Sequence, residues 1–447
     1  MPELLDIATA IAEQAKEHEQ VEAYVAWHRD TDVRVYGGAV ESLSASESAG
    51  IGVRVISGGR QGFAYVGSLA PGSGAEALAE ARDNAAFATP DDFAGLAQPD
   101  GVAPARLELW HEGAALTPTA DKVGLALELE AKVRAGDARI RQVVSSDYGD
   151  SRIESAIASS TGIAVTSRRT TCYAAADVVA GVGDDSQTGI GYSVGRAPSE
   201  LDLDRAASDA VLRATRLLGA TKPKSSRLTV VLDRQVTATL LALLAGTLSG
   251  EEVAKGRSLF AGRLGEEVAV ASLTVVEDAT NPLAYGAATY DAEGLACRRT
   301  PLIEAGRLSA YLYDSTSARR AGVGSTASAV RAGFKSTPGV GARAVSIEPG
   351  DLSEEEVLRR VDEGLYVQSV SGVHSGVNPV SGDFSVGAEG LLIARGGLGA
   401  PVREITIAST LQRMLQGVVA IGRDVEWLPG NAAGVTLAIE DLAMGGD

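Results

Sequence analysis

The carboxyl-terminal half of this 447-residue chain consists of short apolar runs separated by glycine-rich turns, with few helical stretches between them. Strands that follow one another in this way are typical of a closed or strongly curved sheet, which leaves few unpaired edges. We therefore predict a β-rich, barrel-like domain over residues 227–447. The predicted strands lie at residues 228–232, 273–276, 300–304, 307–313, 344–348, 365–370, 384–386, 390–394 and 402–408.

The amino-terminal half alternates between helical and strand-like periodicity. Apolar residues at helical spacing predict amphipathic helices at residues 3–18, 74–88, 118–135 and 203–218. Gly58 and Gly59 predict a hairpin turn rather than a phosphate-binding loop, because no Lys-Ser/Thr pair follows them. The aperiodic stretch 219–226 marks a domain boundary. The expected fold class is α+β, with an α/β domain built on a mixed sheet over residues 1–221.

Charge and hydropathy exclude several classes of partner. The formal net charge of −18 argues against a nucleic-acid ligand, because phosphate binding needs clustered Lys and Arg. No apolar run is long enough to span a bilayer, and the first residues lack the apolar core of a signal peptide. We expect a cytoplasmic chain without a membrane partner. Cys172 and Cys297, the two cysteines, are expected to be packed thiols in a reducing compartment.

The four histidines do not predict a metal site, because none has a second His or a Glu at ligand spacing. His374 differs from the others in lying within the glycine-rich string GVHSGVNPVSGDFSVGAEG, residues 372–390. Serine, histidine and aspartate in one loop raise the question of a catalytic triad. However, His374 and Ser375 are adjacent and would project apart in an extended chain, and no Gly-x-Ser-x-Gly elbow is present.

We predict instead that this loop binds peptide or contacts another subunit. Its density of Gly, Ser, Asn and Asp is typical of turns and of close backbone approach, so simple turn chemistry stays open as an alternative. The residues predicted to make these contacts are His374, Ser375, Asn378, Ser381, Gly382, Asp383, Phe384 and Ser385.

Two pairs of carboxylates are candidates for acid–base chemistry, which requires that burial separate their pKa values. Asp291 and Glu293 precede a predicted strand and are expected to form a turn. Glu251 and Glu252 follow the end of a predicted helix and are expected to be solvated. We therefore predict a structural role for both pairs.

The glycine-rich string resembles the signature of the TldD/PmbA family, also called peptidase family U62. The resemblance is strongest from Ser249 onward and looser in the amino-terminal half. Further segments resemble the family in order. They are KGRSLFAGRLGEEVA at 255–269, YDAEGLACRRTPLIEAGRLSAYLYDSTSARRAG at 290–322, GLYVQSVSG at 364–372 and IASTLQRMLQGVVAIGRD at 407–424.

The resemblance implies an α/β amino-terminal domain joined to a barrel-like carboxyl-terminal domain. It also implies two kinds of subunit. TldD is a zinc metallopeptidase whose helix carries H-E-x-x-x-H, with a cysteine near the carboxyl terminus completing the site. TldE, or PmbA, lacks these ligands and pairs with TldD around a cleft for short or unfolded peptides, which are recognised largely by backbone strand pairing.

This chain departs from the zinc-binding pattern. Alignment on residues 256–258 places Leu241, Ala242 and Gly246 at the H-E-x-x-x-H positions, and residues 427–446 contain no cysteine. A zinc-polarised water drives such a peptidase. We therefore expect no catalytic residue and no cofactor in this chain, and no proteolysis by the chain alone.

The hypothesis from sequence is a non-catalytic TldE/PmbA-type subunit that completes the peptide cleft of a TldD-type partner, which binds the zinc. A homodimeric peptide-binding or scaffold protein is one alternative. A hydrolase with its own site near His374 is another.

Overall fold

The computed structural model of the chain describes residues 2–183 and 185–447. Its amino-terminal part is built on a six-stranded sheet with the strand order β3-β2-β1-β4-β5-β6. All neighbouring strands in this sheet are antiparallel. The strands are β1 (Glu19–Tyr36), β2 (Ala39–Ser57), β3 (Arg60–Val66), β4 (Ile140–Ser159), β5 (Ala164–Val182) and β6 (Asp185–Gly195).

The prediction of a mixed sheet in this part is therefore wrong. Hairpins join β1 to β2 and β2 to β3, and two more join β4 to β5 and β5 to β6. Strands joined by a hairpin are antiparallel. The longer connection between β3 and β4 brings β4 back antiparallel to β1. The predicted turn at Gly58 and Gly59 is confirmed, with φ values of 57° and 73° that suit glycine.

The helices of this part lie on one face of the sheet. Alternate residues of a strand project to opposite faces, so Val21 and Val25 of β1 pack against α1 and α2. Tyr24 projects to the other face, where it packs among Leu295 and Phe334 of the carboxyl-terminal part. The helices are α1 (Pro2–Ala12), α2 (Ser73–Phe87), α3 (Glu112–Leu116), α4 (Thr119–Gly136) and α5 (Leu203–Thr215), with a 3₁₀ turn at Pro198–Glu200.

Strand β2 extends beyond its outer neighbour. β3 pairs with β2 only over residues 51–57, whereas β1 pairs with β2 along nearly its whole length. Residues 39–48 of β2 are exposed. In the part of the chain that the structure describes, the outer edge of residues 39–50 therefore has no strand beside it.

The carboxyl-terminal part contains a barrel, which confirms the predicted α+β fold class. Five strands close in the order β16-β15-β14-β7-β20, because β16 also pairs with β20. β7 and β14 run parallel, and the other barrel neighbours are antiparallel. The first elements are β7 (Ser226–Leu232), α6 (Arg234–Thr247), α7 (Gly250–Ala254), β8 (Val275–Asp278), β9 (Arg299–Glu304), β10 (Arg307–Leu308), α8 (Ser315–Ala321), β11 (Ala329–Val330), β12 (Gly339–Val340) and β13 (Val345–Ile347).

A four-stranded sheet, β10-β9-β8-β13, shares the apolar core of the barrel. Helix α6 packs into this core, where Leu241 and Leu244 lie with Val275 of β8 and Ile439 of β20. No helix among the described residues is long and apolar enough to cross a membrane. The remaining elements are α9 (Glu354–Val361), β14 (Gly364–Ser371), α10 (Val373–Gly376), β15 (Asp383–Ala394), β16 (Gly397–Thr410), α11 (Leu411–Gln416), β17 (Val418–Ile421), β18 (Glu426–Trp427), β19 (Ala433–Gly434) and β20 (Leu437–Gly445).

A buried group of charges, here called the junction cluster, joins the two parts of the chain. It consists of Glu22, Arg54, Glu293 and Arg331. Arg54 Nη2 donates to Glu22 Oε2 at 2.7 Å and to Glu293 Oε1 at 3.2 Å. Arg331 Nη2 donates to Glu22 Oε1 at 2.6 Å. Burial opposes ionisation of Glu22, but the two guanidinium groups outweigh burial and hold its pKa below the usual value.

Candidate functional site

Helix α6 occupies the positions at which the resemblance places zinc ligands. Asp233 caps its first turn, because Oδ1 accepts the backbone N–H groups of Gln235 and Val236 at 2.8 Å and 3.1 Å. The leucines and alanines that follow are strong helix formers. The local sequence therefore builds an apolar helix at this point.

The three motif positions on α6 differ in their surroundings. Leu241 is buried in the core, Ala242 is half-buried, and Gly246 is exposed with open space where a Cβ would be. None of them carries a side-chain nitrogen, oxygen or sulfur atom, so these residues do not fit a zinc ion. Within residues 2–183 and 185–447, no group of three His, Cys, Asp or Glu side chains could hold a metal.

An open groove of about 420 Å³, here called the α6 groove, runs beside this helix. Ala242 and Leu243 of α6 line one wall, and residues 428–432 line another. Val373, the first residue of α10, also lines it. The structure thus brings a motif position and the start of the predicted contact loop to the same surface.

The contact loop continues from α10 as a tight hairpin held by its own hydrogen bonds. The Asn378 N–H donates to the Asp383 carbonyl at 2.9 Å, and the Gly382 N–H donates to the Asn378 carbonyl at 2.8 Å. Ser381 Oγ donates to Asp383 Oδ2 at 2.7 Å. Gly382 has a φ of 82°, and a Cβ there would lie 2.1 Å from an atom of Gln412. The turn therefore requires glycine at this position.

The predicted contact residues divide by exposure. Gly382 and Phe384 are buried, and Phe384 packs in the core of the barrel. The exposed members of the set are His374, Ser375, Asn378, Ser381, Asp383 and Ser385. The loop therefore presents a polar surface beside the α6 groove.

The hydrogen bonds of the described loop do not assemble a triad. Ser375 Oγ donates to the Gly372 carbonyl at 3.2 Å, and Ser381 pairs with Asp383. A nucleophilic serine needs a base within hydrogen-bond reach. No hydrogen bond within the described loop joins His374 to either hydroxyl.

The cysteines are confirmed as packed thiols. Cys172 and Cys297 are free and buried. Burial raises the pKa of each thiol to about 12, so neither is an activated nucleophile at neutral pH.

A second cavity, of about 410 Å³, was not predicted from the sequence. It lies between the helix-free face of the amino-terminal sheet, at Tyr24 and His28, and the loop 287–292. Arg168 and Arg169 of β5 also line it. Adjacent arginines within one strand are a signal for such a site, because alternation must direct one of them to the covered face.

Three family models match the chain. They are described as the domain 1, central domain and C-terminal domain of PmbA/TldA metallopeptidases, and they match residues 21–86, 115–218 and 225–446. Metalloprotease PmbA of Escherichia coli O157:H7 is 26% identical over 423 residues, which cover 94% of this chain and 91% of that protein. A PmbA homolog of Haemophilus influenzae is 26% identical and covers 87% and 84% of the two chains.

Solved structures share the fold. A Thermotoga maritima protein described as a candidate modulator of a DNA gyrase superposes with a TM-score of 0.90 at 22% identity, covering 99% of this chain and 100% of that one. TldE from Thermococcus kodakarensis superposes with a TM-score of 0.88 at 23% identity, covering 96% and 97%. Together with the family models, these matches show that the chain belongs to the PmbA/TldD metallopeptidase family.

Proposed function

We propose that this chain is the non-catalytic subunit of a TldD/TldE-type zinc metallopeptidase. In this proposal a TldD-type chain binds the zinc, and this chain completes the cleft that admits short or unfolded peptides. The complex would process or degrade those peptides, whereas this chain alone would be inactive.

The observation that carries the proposal is the chemistry of α6. Leu241, Ala242 and Gly246 stand at the family's metal-binding and general-base positions, and none of them can ligate zinc or accept a proton. In this proposal the zinc ligands of the peptidase therefore come from another chain.

The surface around α6 supports a role in binding. The α6 groove offers apolar side chains from Ala242, Leu243 and Val373. The neighbouring loop offers the exposed polar residues His374 and Asp383 in a conformation held by backbone bonds. A preformed, partly apolar groove with polar groups at its rim suits a peptide or a partner segment.

Two further parts of the proposal concern organisation and location. We propose a division into residues 1–221, around the antiparallel sheet, and residues 227–447, around the barrel. We also place the complex in the cytoplasm, because the buried, free cysteines suit a reducing compartment.

Co-expression with a TldD-type chain tests the proposal. We expect a stable complex with one zinc per heterodimer, measured by light scattering and metal analysis, and peptide hydrolysis by the complex only. The double variant His374→Ala/Asp383→Ala should weaken assembly or peptide binding. Arg395→Ala is a matched control, because Arg395 is also exposed but lies at the opposite end of β15.

Three results would contradict the proposal. A chain that remains a homodimer beside every TldD-type partner would favour the scaffold alternative. Stoichiometric zinc on this chain alone would refute the argument from α6. Hydrolysis by the isolated chain that survives chelation and is lost in His374→Ala would favour the hydrolase alternative.

A further inference from the structure

The second cavity is lined by more positive than negative side chains. Arg169 of β5 contributes to one wall, and Arg331 and Arg343 contribute to the facing wall. Asp291 is the one carboxylate among the residues that line it. The chain as a whole carries a net charge of −18, so this local excess of arginine is contrary to its composition.

Arg169 has no counterion among the described residues. Among the described residues, no hydrogen bond or ion pair to its guanidinium is present. Burial and the nearby charges of Arg343 and Arg196 lower its pKa. A guanidinium held among other guanidinium groups gains stability when an anion enters.

The facing arginines have unused donors. Arg343 Nη2 donates to the Ala329 carbonyl at 3.2 Å, and its Nε is buried without an acceptor. Arg331 bonds Glu22 in the junction cluster and the Ala292 carbonyl, and its Nε is also buried without an acceptor. Buried polar groups nearly always have partners, so these donors favour the entry of an acceptor into the cavity.

Asp291 does not supply that acceptor. Its Oδ1 accepts the backbone N–H groups of Glu293 and Leu295 at 2.9 Å and 3.0 Å. Its Oδ2 accepts the backbone N–H of Ala329 at 3.2 Å. Burial and the neighbouring charge of Glu293 raise the pKa of Asp291 to about 7, so its negative charge is only partly present at neutral pH.

The rest of the lining combines apolar and aromatic residues, including Tyr24, Tyr290, Leu109 and Ile157, with the hydroxyl groups of Ser155, Thr166, Ser167 and Thr289. A cavity of about 410 Å³ falls within the roughly 300–1,000 Å³ that small-molecule sites occupy. Inorganic anions would leave these apolar walls without contact. An organic anion would use both the walls and the arginines.

We propose that this cavity binds a small organic anion, with its carboxylate or phosphate group held by Arg169 and Arg343 and its apolar body packed against the tyrosines. Arginine suits such oxyanions because its planar fork of N–H donors matches their oxygens. The anionic group could belong to a free small molecule or to the carboxyl terminus of a peptide. The site is separate from the α6 groove and does not depend on the proposed subunit role.

Thermal shift and calorimetric titration of the full chain test this proposal, with benzoate, phenyl phosphate and inorganic phosphate as probes. A short peptide ending in an aromatic residue, with a free or an amidated carboxyl terminus, separates the two sources of the anion. We expect phenyl phosphate or benzoate to raise the melting temperature more than inorganic phosphate does. Preference for the free over the amidated peptide would assign the site to peptide termini.

Arg169→Gln should weaken binding of the best probe at least tenfold. Because Arg169 has no partner to lose among the described residues, the ligand-free variant should melt at or above the wild-type temperature. Arg29→Gln is the matched control, since Arg29 is exposed on the opposite face of the same sheet. Ala332→Glu is a second variant, because Ala332 is exposed at the rim and a carboxylate there should block the anion.

Two outcomes would overturn the proposal. One is the absence of any shift with all the anions in the wild-type chain. The other is equal binding by Arg169→Gln and Arg29→Gln. Because the measurement needs neither a partner subunit nor zinc, its failure would leave the proposed subunit role intact.

Discussion

Removal of Arg54 should destabilise the junction between the two parts of the chain. The junction cluster contains two guanidinium groups and two carboxylates, so its formal charge is zero. In Arg54→Met, Glu22 keeps Arg331, but the one hydrogen bond that Glu293 keeps among the described residues is from the backbone N–H of Ser315, at 2.8 Å. One uncompensated negative charge remains among side chains that are at most 4% exposed. Removing one partner of a buried ion pair costs about 3–5 kcal/mol.

Urea denaturation measures this loss, with circular dichroism reporting secondary structure and fluorescence reporting the tryptophans. Arg29→Met is the control, because Arg29 is exposed on the neighbouring strand. The double variant Arg54→Met/Glu293→Gln restores a formal charge of zero to the cluster. We expect it to be less destabilised than the sum of the two single variants, since the two sites are in contact.

Two results would refute this reasoning. Equal denaturation midpoints for Arg54→Met and Arg29→Met would show that the cluster adds no stability. Additive losses in the double variant would show that uncompensated charge is not the cause of the destabilisation.

Three further predictions follow from burial and close packing. Glu277 is buried, and burial raises its pKa from 4.5 to about 7. Its contribution to stability is therefore fully present below about pH 4.5 and is lost as the pH rises through 7. Glu277→Gln should flatten this part of the curve of stability against pH, and an unchanged slope would contradict the assignment. Gly191→Ala should destabilise the folded chain by about 1–3 kcal/mol, because the new Cβ would lie 2.1 Å from a backbone oxygen of α5. Gly246→Ala, which is in open space on α6, should stabilise the folded chain by up to ~1 kcal/mol. Equal denaturation midpoints of the two variants in urea would refute the packing argument. Cys172 and Cys297 should resist a thiol reagent in the native chain and react on unfolding, and rapid native labelling would show that one of them is accessible.

Local signals in the sequence predicted local structure well. The pairing of Ser353 with Glu356 predicts a capping box at the start of α9, and both of its hydrogen bonds are present. The first helix was predicted over residues 3–18 but ends at Ala12. Helix boundaries depend on tertiary contacts that spacing alone does not show.

Non-local contacts account for most of what the sequence could not predict. Alternation places Arg54 on the face opposite Ile51 and Val53, but it does not show that Glu293 covers that face. Closure of the barrel depends on pairing such as Thr406 with Gly445, which no local pattern encodes. The α6 groove likewise depends on a meeting of α6 and the contact loop that only the folded chain reveals.

The outer edge of β2 has a consequence for how this protein behaves in solution. Backbone N–H and C=O groups along residues 39–50 can template another strand, which is a known route to aggregation. Glu41 and Glu47 place negative charge on this edge of β2, and the net charge of −18 repels a second identical molecule. Added salt screens this repulsion, and a second protein with less negative charge experiences less of it. Self-association through this edge should therefore increase with ionic strength. A different protein that carries less negative charge should pair with this edge even at low salt.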